Sequence, residues 1–180
     1  MTIRIVLAGA AGGVLMFLWM SAAHMSPLGM IGISALPREL LITSTLDSGA
    51  GGSGGLYVFP AAVDAGPDVP SGFMVFYPDN VITGGMGTKI GLEFGKELVQ
   101  SLLLALLVAG AGLQGPAARL LFATGAGALA AVTTHGSYAI WYAFPLAYVI
   151  ADGGITLAGY VVAGAAIAWL LPRAHTRARA

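Results

Sequence analysis

Four long stretches of this sequence hold almost no charge, and they restrict the chain to folds that can hide apolar helices from water. Ile5 to Ala23 contains no charged side chain, and Leu98 to Leu113 is equally uncharged. A third stretch follows Arg119 to Thr134 and continues through His135 and Gly136, and a fourth runs from Leu146 to Leu171 broken only by Asp152. Crossing hydrocarbon takes roughly 20 helical residues, and tilt or snorkelling accommodates the shorter runs. Only 9% of the 180 residues are charged, where a soluble domain carries about 25%. A soluble globule is thereby excluded. The sequence predicts a mainly α fold: a four-transmembrane-helix bundle with a small α+β extracytoplasmic cap.

Charge placement orients this bundle. With the N-terminus inside, the cytoplasmic side holds Arg4, Arg119, Arg173, Arg177 and Arg179 and no acid. The other side holds Arg38, Lys89 and Lys96 against Glu39, Asp47, Asp64, Asp68, Asp79, Glu93 and Glu97. This obeys the positive-inside rule. It predicts a bacterial inner-membrane protein with both termini cytoplasmic and residues ~25–96 extracytoplasmic. The first stretch also has the form of a secretory signal ending in Ser21-Ala22-Ala23, but its apolar run is long for one. Three parts are expected: 1–24, the first helix; 25–87, the extracytoplasmic insertion; and 88–180, helices two to four with a basic tail.

Within the insertion, Pro37 is a first helical position introducing a short helix, Arg38 to Ile42. Asp47 to Gly55 reads as a glycine linker. Two β-type runs follow, Leu56 to Phe59 and Phe73 to Tyr77, each closed by a proline at Pro60 and Pro78. An isolated hairpin is marginal in water, so the pair is expected to rest on the helix ends. The second long helix is expected to start near Thr88, with Lys89 and Glu93 spaced for an ion pair.

Small residues at four-residue spacing recur in every span: Gly9 and Gly13, Ala105 and Ala109, Ala123 and Gly127, Gly159 and Ala163. In lipid such pairs allow close backbone approach. They serve a tight bundle, or a protein partner or second copy docked on one small-residue face. Tyr138, Trp141, Tyr142, Phe144 and Tyr148 bracket Pro145 and suit a turn at the headgroup layer.

The topology brings polar residues to one level. His24 ends helix one, Glu93 and Glu97 start helix two, His135 ends helix three, and Asp152 lies one or two turns into helix four. Imidazole with carboxylate suits a divalent metal, so His24, Glu93, His135 and Asp152 are the candidate ligands. The same groups also suit proton transfer or a structural polar network. Gly153 and Gly154 leave room beside Asp152 for close backbone or water. Met20, His24, Met25 and Met30 are copper-type donors, though methionine more often fills apolar gaps. Gly51 to Gly55 matches G-x-S-x-G but lacks the strand-turn-helix context which that motif needs. Cysteine is absent and the formal charge is zero, which leaves no thiolate site and no case for nucleic acid.

Several segments carry a likeness. They are Trp19 to His24 with Pro27-Leu28-Gly29, Gly55 to Pro60, Ser71 to Pro78, Glu93-Phe94, and Trp141 to Pro145 with Asp152 downstream. In these the chain resembles an uncharacterised family of small bacterial four-helix integral membrane proteins with an extracytoplasmic insertion between helices 1 and 2. Those sequences tend to carry glycine before Phe-Pro, where this one has Ala143. The resemblance implies the architecture and no activity. With no complete catalytic constellation and no cofactor motif, the sequence reads as a non-enzymatic accessory or interaction subunit in the lipid bilayer. The alternative is a small transporter, or a metal- or proton-handling protein using the polar cluster.

Overall fold

The computed structural model describes residues 2–61, 66–79, 81 and 84–171. Asp64 and the basic tail of Arg173, His175, Arg177 and Arg179 lie outside them. Each long apolar stretch forms one helix: α1 Thr2–His24, α3 Met86–Gly110, α4 Pro116–Tyr142 and α5 Leu146–Leu170. Between α1 and α3 come a 3-10 turn (Pro27–Met30), α2 (Glu39–Ala50), β1 (Gly55–Phe59) and β2 (Gly72–Phe76).

The helices form a bundle in the order α3, α1, α5, α4. Two glycines set the α1–α3 distance. A Cβ on Gly9 would come within 2.8 Å of the Leu102 side chain, and one on Gly13 within 2.8 Å of the Leu98 backbone. Phe17 meets Phe94 edge-on at 5.2 Å further along. The two helices therefore run antiparallel side by side. At the α4–α5 contact a Cβ on Gly164 would sit 2.4 Å from that of Ala123. Ala105, Ala123 and Ala163 are fully buried. All four small-residue pairs thus face helices of the same chain. Met16, Leu104, Val108, Ile155 and Ile167 fill the core between them.

The outside of the bundle is apolar as well. Leu7, Leu103, Leu106, Leu107, Leu129 and Val132 are each more than half exposed. Three helices, α1, α4 and α5, are long and apolar enough to cross a membrane. The expectation of four such helices is corrected here. Lys89, Glu93, Lys96 and Glu97 crowd the first half of α3, leaving an uncharged run that starts only at Leu98.

Other boundaries also move. The short helix begins at Glu39, after Arg38 in a left-handed conformation (φ 52°), and extends to Ala50. It absorbs the start of the expected linker and stops where Gly51 takes a left-handed conformation (φ 61°), its N–H bonding to Asp47 O. The β-runs pair with each other, antiparallel, with Leu56 opposite Val75 and Tyr57 opposite Met74. Lys89 reaches the Val81 carbonyl, while Glu93 pairs with Lys96 at 2.7 Å. At the far end, buried Arg119 donates to Leu113 O at 3.3 Å and Leu171 O at 2.7 Å, tying the start of α4 to the end of α5.

Candidate functional site

Three helices converge on one carboxylate near the end of the bundle that carries the cap. His24, the last residue of α1, places Nε2 3.1 Å from Asp152 Oδ1. His135 on α4 places Nε2 2.9 Å from Asp152 Oδ2. Tyr148, one turn before Asp152 on α5, donates its hydroxyl to Oδ2 at 3.2 Å.

The other ring nitrogens settle the tautomers. His24 Nδ1 lies 2.9 Å from Met20 O, and His135 Nδ1 lies 3.0 Å from Ala131 O. A backbone carbonyl only accepts, so both Nδ1 atoms carry hydrogen and donate. Each Nε2–carboxylate contact then needs one proton between nitrogen and oxygen. With both present the three groups carry a single net positive charge, whichever atoms hold the bridging protons. Removing one sets a nitrogen lone pair against an oxygen lone pair. Asp152 thus links the two imidazoles through opposite oxygens of one carboxylate.

The centre is asymmetric. The His24 side chain is 45% exposed, that of Asp152 24%, and that of His135 only 7%. Exchange with solvent therefore favours the His24 side. Local sequence builds this opening. Ser26 caps the 3-10 turn, accepting from Leu28 N–H and donating to Ala23 O. Gly32, at φ 79°, lies so close to Tyr148 that a Cβ would come within 2.6 Å of its backbone nitrogen. The segment after α1 thus folds back beside both His24 and Tyr148.

A cleft of about 790 Å³ lies alongside, lined by Phe59, Phe73, Trp141, Tyr142, Phe144 and Tyr148. Phe73 of β2 stacks on Tyr142 at 4.5 Å, seating the hairpin on the α4–α5 turn. That turn is shorter than expected because α4 continues to Tyr142. Ala143 then takes a left-handed conformation (φ 52°) and its N–H bonds to Tyr138 O. This is the position where glycine was expected from the resemblance.

Of the candidate metal ligands, the structure joins His24, His135 and Asp152 and leaves Glu93 with Lys96. Glu97 is fully buried on α3, away from the site. Among the described residues no group of three His, Cys, Asp or Glu side chains stands in a metal-holding arrangement. The imidazoles and carboxylate instead bond directly to one another. Met20 is buried in the core while Met25 and Met30 are exposed, so the copper-type donors do not gather. Gly153 is not needed for clearance, since a Cβ there would stand 3.7 Å from His135, and Gly154 faces open space. Sequence reasoning missed Tyr148 as a partner, although its four-residue spacing from Asp152 put both on one helical face.

The chain matches no protein-family model, no curated protein and no solved structure.

Proposed function

We propose that this is a multi-pass bacterial inner-membrane protein that takes up and relays protons at the His24–Asp152–His135 centre. The observation that carries this reading is the locking of both Nδ1 atoms onto backbone carbonyls, with both Nε2 atoms turned to one carboxylate. A proton passed from His24 Nε2 to Oδ1 weakens the hold of Oδ2 on the proton shared with His135. The two imidazoles therefore exchange protons as a coupled pair. Ionisable residues within membrane helices are costly and mark ion or proton pathways. An accessory role alone gives this geometry no work to do.

α3 packs antiparallel on α1, one of the three helices long and apolar enough to cross a membrane. If α1 spans the bilayer, Leu98 to Gly110 lies at the same depth, with Leu103, Leu106 and Leu107 facing outward. Charges then segregate as the positive-inside rule requires, and the His–Asp–His centre faces the extracytoplasmic side.

A second reading, binding of a divalent metal, draws on the same Nδ1 contacts. Metal-bound histidines typically donate their distal N–H to a carbonyl or carboxylate, leaving the other nitrogen to ligate. A metal ion would take the place of the bridging protons.

The test is histidine nitrogen NMR on protein reconstituted in vesicles, with pH and zinc varied separately. Proton relay predicts that the two Nε2 signals titrate together and that Asp152→Asn uncouples them. Independent titration in the unaltered protein would refute it. Zinc uptake with proton release, abolished by Asp152→Asn, would establish the metal reading.

A further inference from the structure

A second polar cluster lies deeper in the bundle and takes no part in the His–Asp–His centre. Glu97, Gln100 and Ser101 occupy one face of α3, three and four residues apart. Glu97 and Ser101 are fully buried. Glu97 Oε2, Gln100 Oε1 and Ser101 Oγ are buried without a hydrogen-bond partner, and Glu97 Oε1 is buried against the Lys96 ammonium at 3.1 Å. Three unpartnered oxygens in one apolar bundle are exceptional, because buried polar atoms are nearly always satisfied. Each is an oxygen able to accept or to coordinate.

The surroundings add to the set. A Cβ on Gly12 of α1 would fall 2.4 Å from Ser101 Oγ and 3.2 Å from Ala163 O of α5. The bare glycine thus lets α1 approach Ser101 closely, with the Ala163 carbonyl of α5 beside the same point. Gln100 turns its Nε2 to Tyr160 OH at 3.4 Å, which leaves its amide oxygen free.

Charge bookkeeping identifies the missing group. Lys96 Nζ stands 2.7 Å from Glu93 Oε1 and 3.1 Å from Glu97 Oε1. Within the Glu93–Lys96–Glu97 group, one ammonium stands against two carboxylates, a net charge of −1 on a face whose buried member is Glu97. A donor set made only of oxygen suits a hard cation, and one net charge calls for a monovalent one.

We propose that Glu97, Gln100 and Ser101 bind one sodium ion in the core of the α1–α3–α5 interface. From His24 to Gly13, the α1 residue beside this part of α3, helical rise gives roughly 16 Å, so the ion lies well inside the bundle. Cation sites of membrane transporters lie at such depths. This inference is independent of the proton reading.

The experiment is equilibrium binding of radioactive sodium to purified full-length protein in detergent, with choline replacing sodium as the control. Saturable binding near one ion per chain is expected in the unaltered protein. Ser101→Ala should weaken it several-fold, and Glu97→Gln should abolish it while thermal unfolding confirms a folded protein. Should Glu97→Gln fail to fold, Ser101→Ala and Gln100→Leu carry the test. Asp152→Asn should bind sodium normally. Absence of saturable binding would mean that Glu97 is simply protonated, and would overturn the proposal. Binding that survives Glu97→Gln, or that Asp152→Asn removes, would overturn it too.

Discussion

His24 and His135 hold opposite oxygens of the Asp152 carboxylate, at 3.1 and 2.9 Å, yet one imidazole is half in solvent and the other is buried. Their removal should therefore have unequal consequences. A hydrogen bond to a charged group contributes about 1.5–3 kcal/mol, and a lost partner costs most where water cannot replace it. His135→Ala should lower stability by about that amount, and His24→Ala by clearly less. Thermal unfolding of both variants in the same detergent checks the order. Equal losses would contradict the asymmetry.

Ala143 occupies a conformation that suits glycine. Left-handed backbone costs an L-residue roughly 1–2 kcal/mol, and part of this is offset by the greater unfolded-state freedom of glycine. Ala143→Gly should raise stability by up to about 1 kcal/mol, read as a higher unfolding temperature. A lowered unfolding temperature would show that the turn is held differently.

The α4–α5 contact has no spare room at Gly164. Overpacking a close contact typically costs about 1–3 kcal/mol, and here the obstructing atom is the Cβ of Ala123, which cannot rotate away. Gly164→Ala should destabilise by that amount. Gly154→Ala, one helix position among several that face open space, should be neutral or gain up to about 1 kcal/mol from helix propensity. Chemical crosslinking between α4 and α5 would report the loosening directly.

Arg119 closes the other end of the same helix pair. Arg119→Met keeps the aliphatic stem but removes the donors to Leu113 O and Leu171 O. Unsatisfied carbonyls cost about 1–3 kcal/mol each when buried. Faster proteolysis beyond Leu170 is expected, and unchanged proteolysis would refute the latch.

Much of this architecture was legible in the sequence because apolar run length and proline placement act locally. The four long helices, both strands and the convergence of His24, His135 and Asp152 follow from such signals. What escaped was set by partners distant in the chain. Glu97 reads as one more charge at a wetted helix start, but Gly13 of α1 draws that turn of α3 inward and buries it. Glu93, four residues earlier, turns to Lys96 instead of the histidines. Asp47 to Gly55 is glycine-rich and reads as a linker throughout, whereas the helix runs on to Ala50 and only Gly51, in a left-handed conformation, ends it. The indole N–H of Trp19 donates to Ile155 O at 2.9 Å across the bundle, a partner 136 residues away that no local pattern announces.

The helix order α3, α1, α5, α4 has a consequence for biogenesis. α1 leaves the ribosome first, but the helix that supplies Ile155 O for its Trp19 and the carboxylate for its His24 is made after all the others described. Until then α1 can lean only on α3, through Gly9 and Gly13. A nascent chain halted after α4 would hold two imidazoles with no carboxylate between them. The polar centre is thus assembled in a single late event, and its formation marks the moment when the newly inserted chain becomes one cooperative unit.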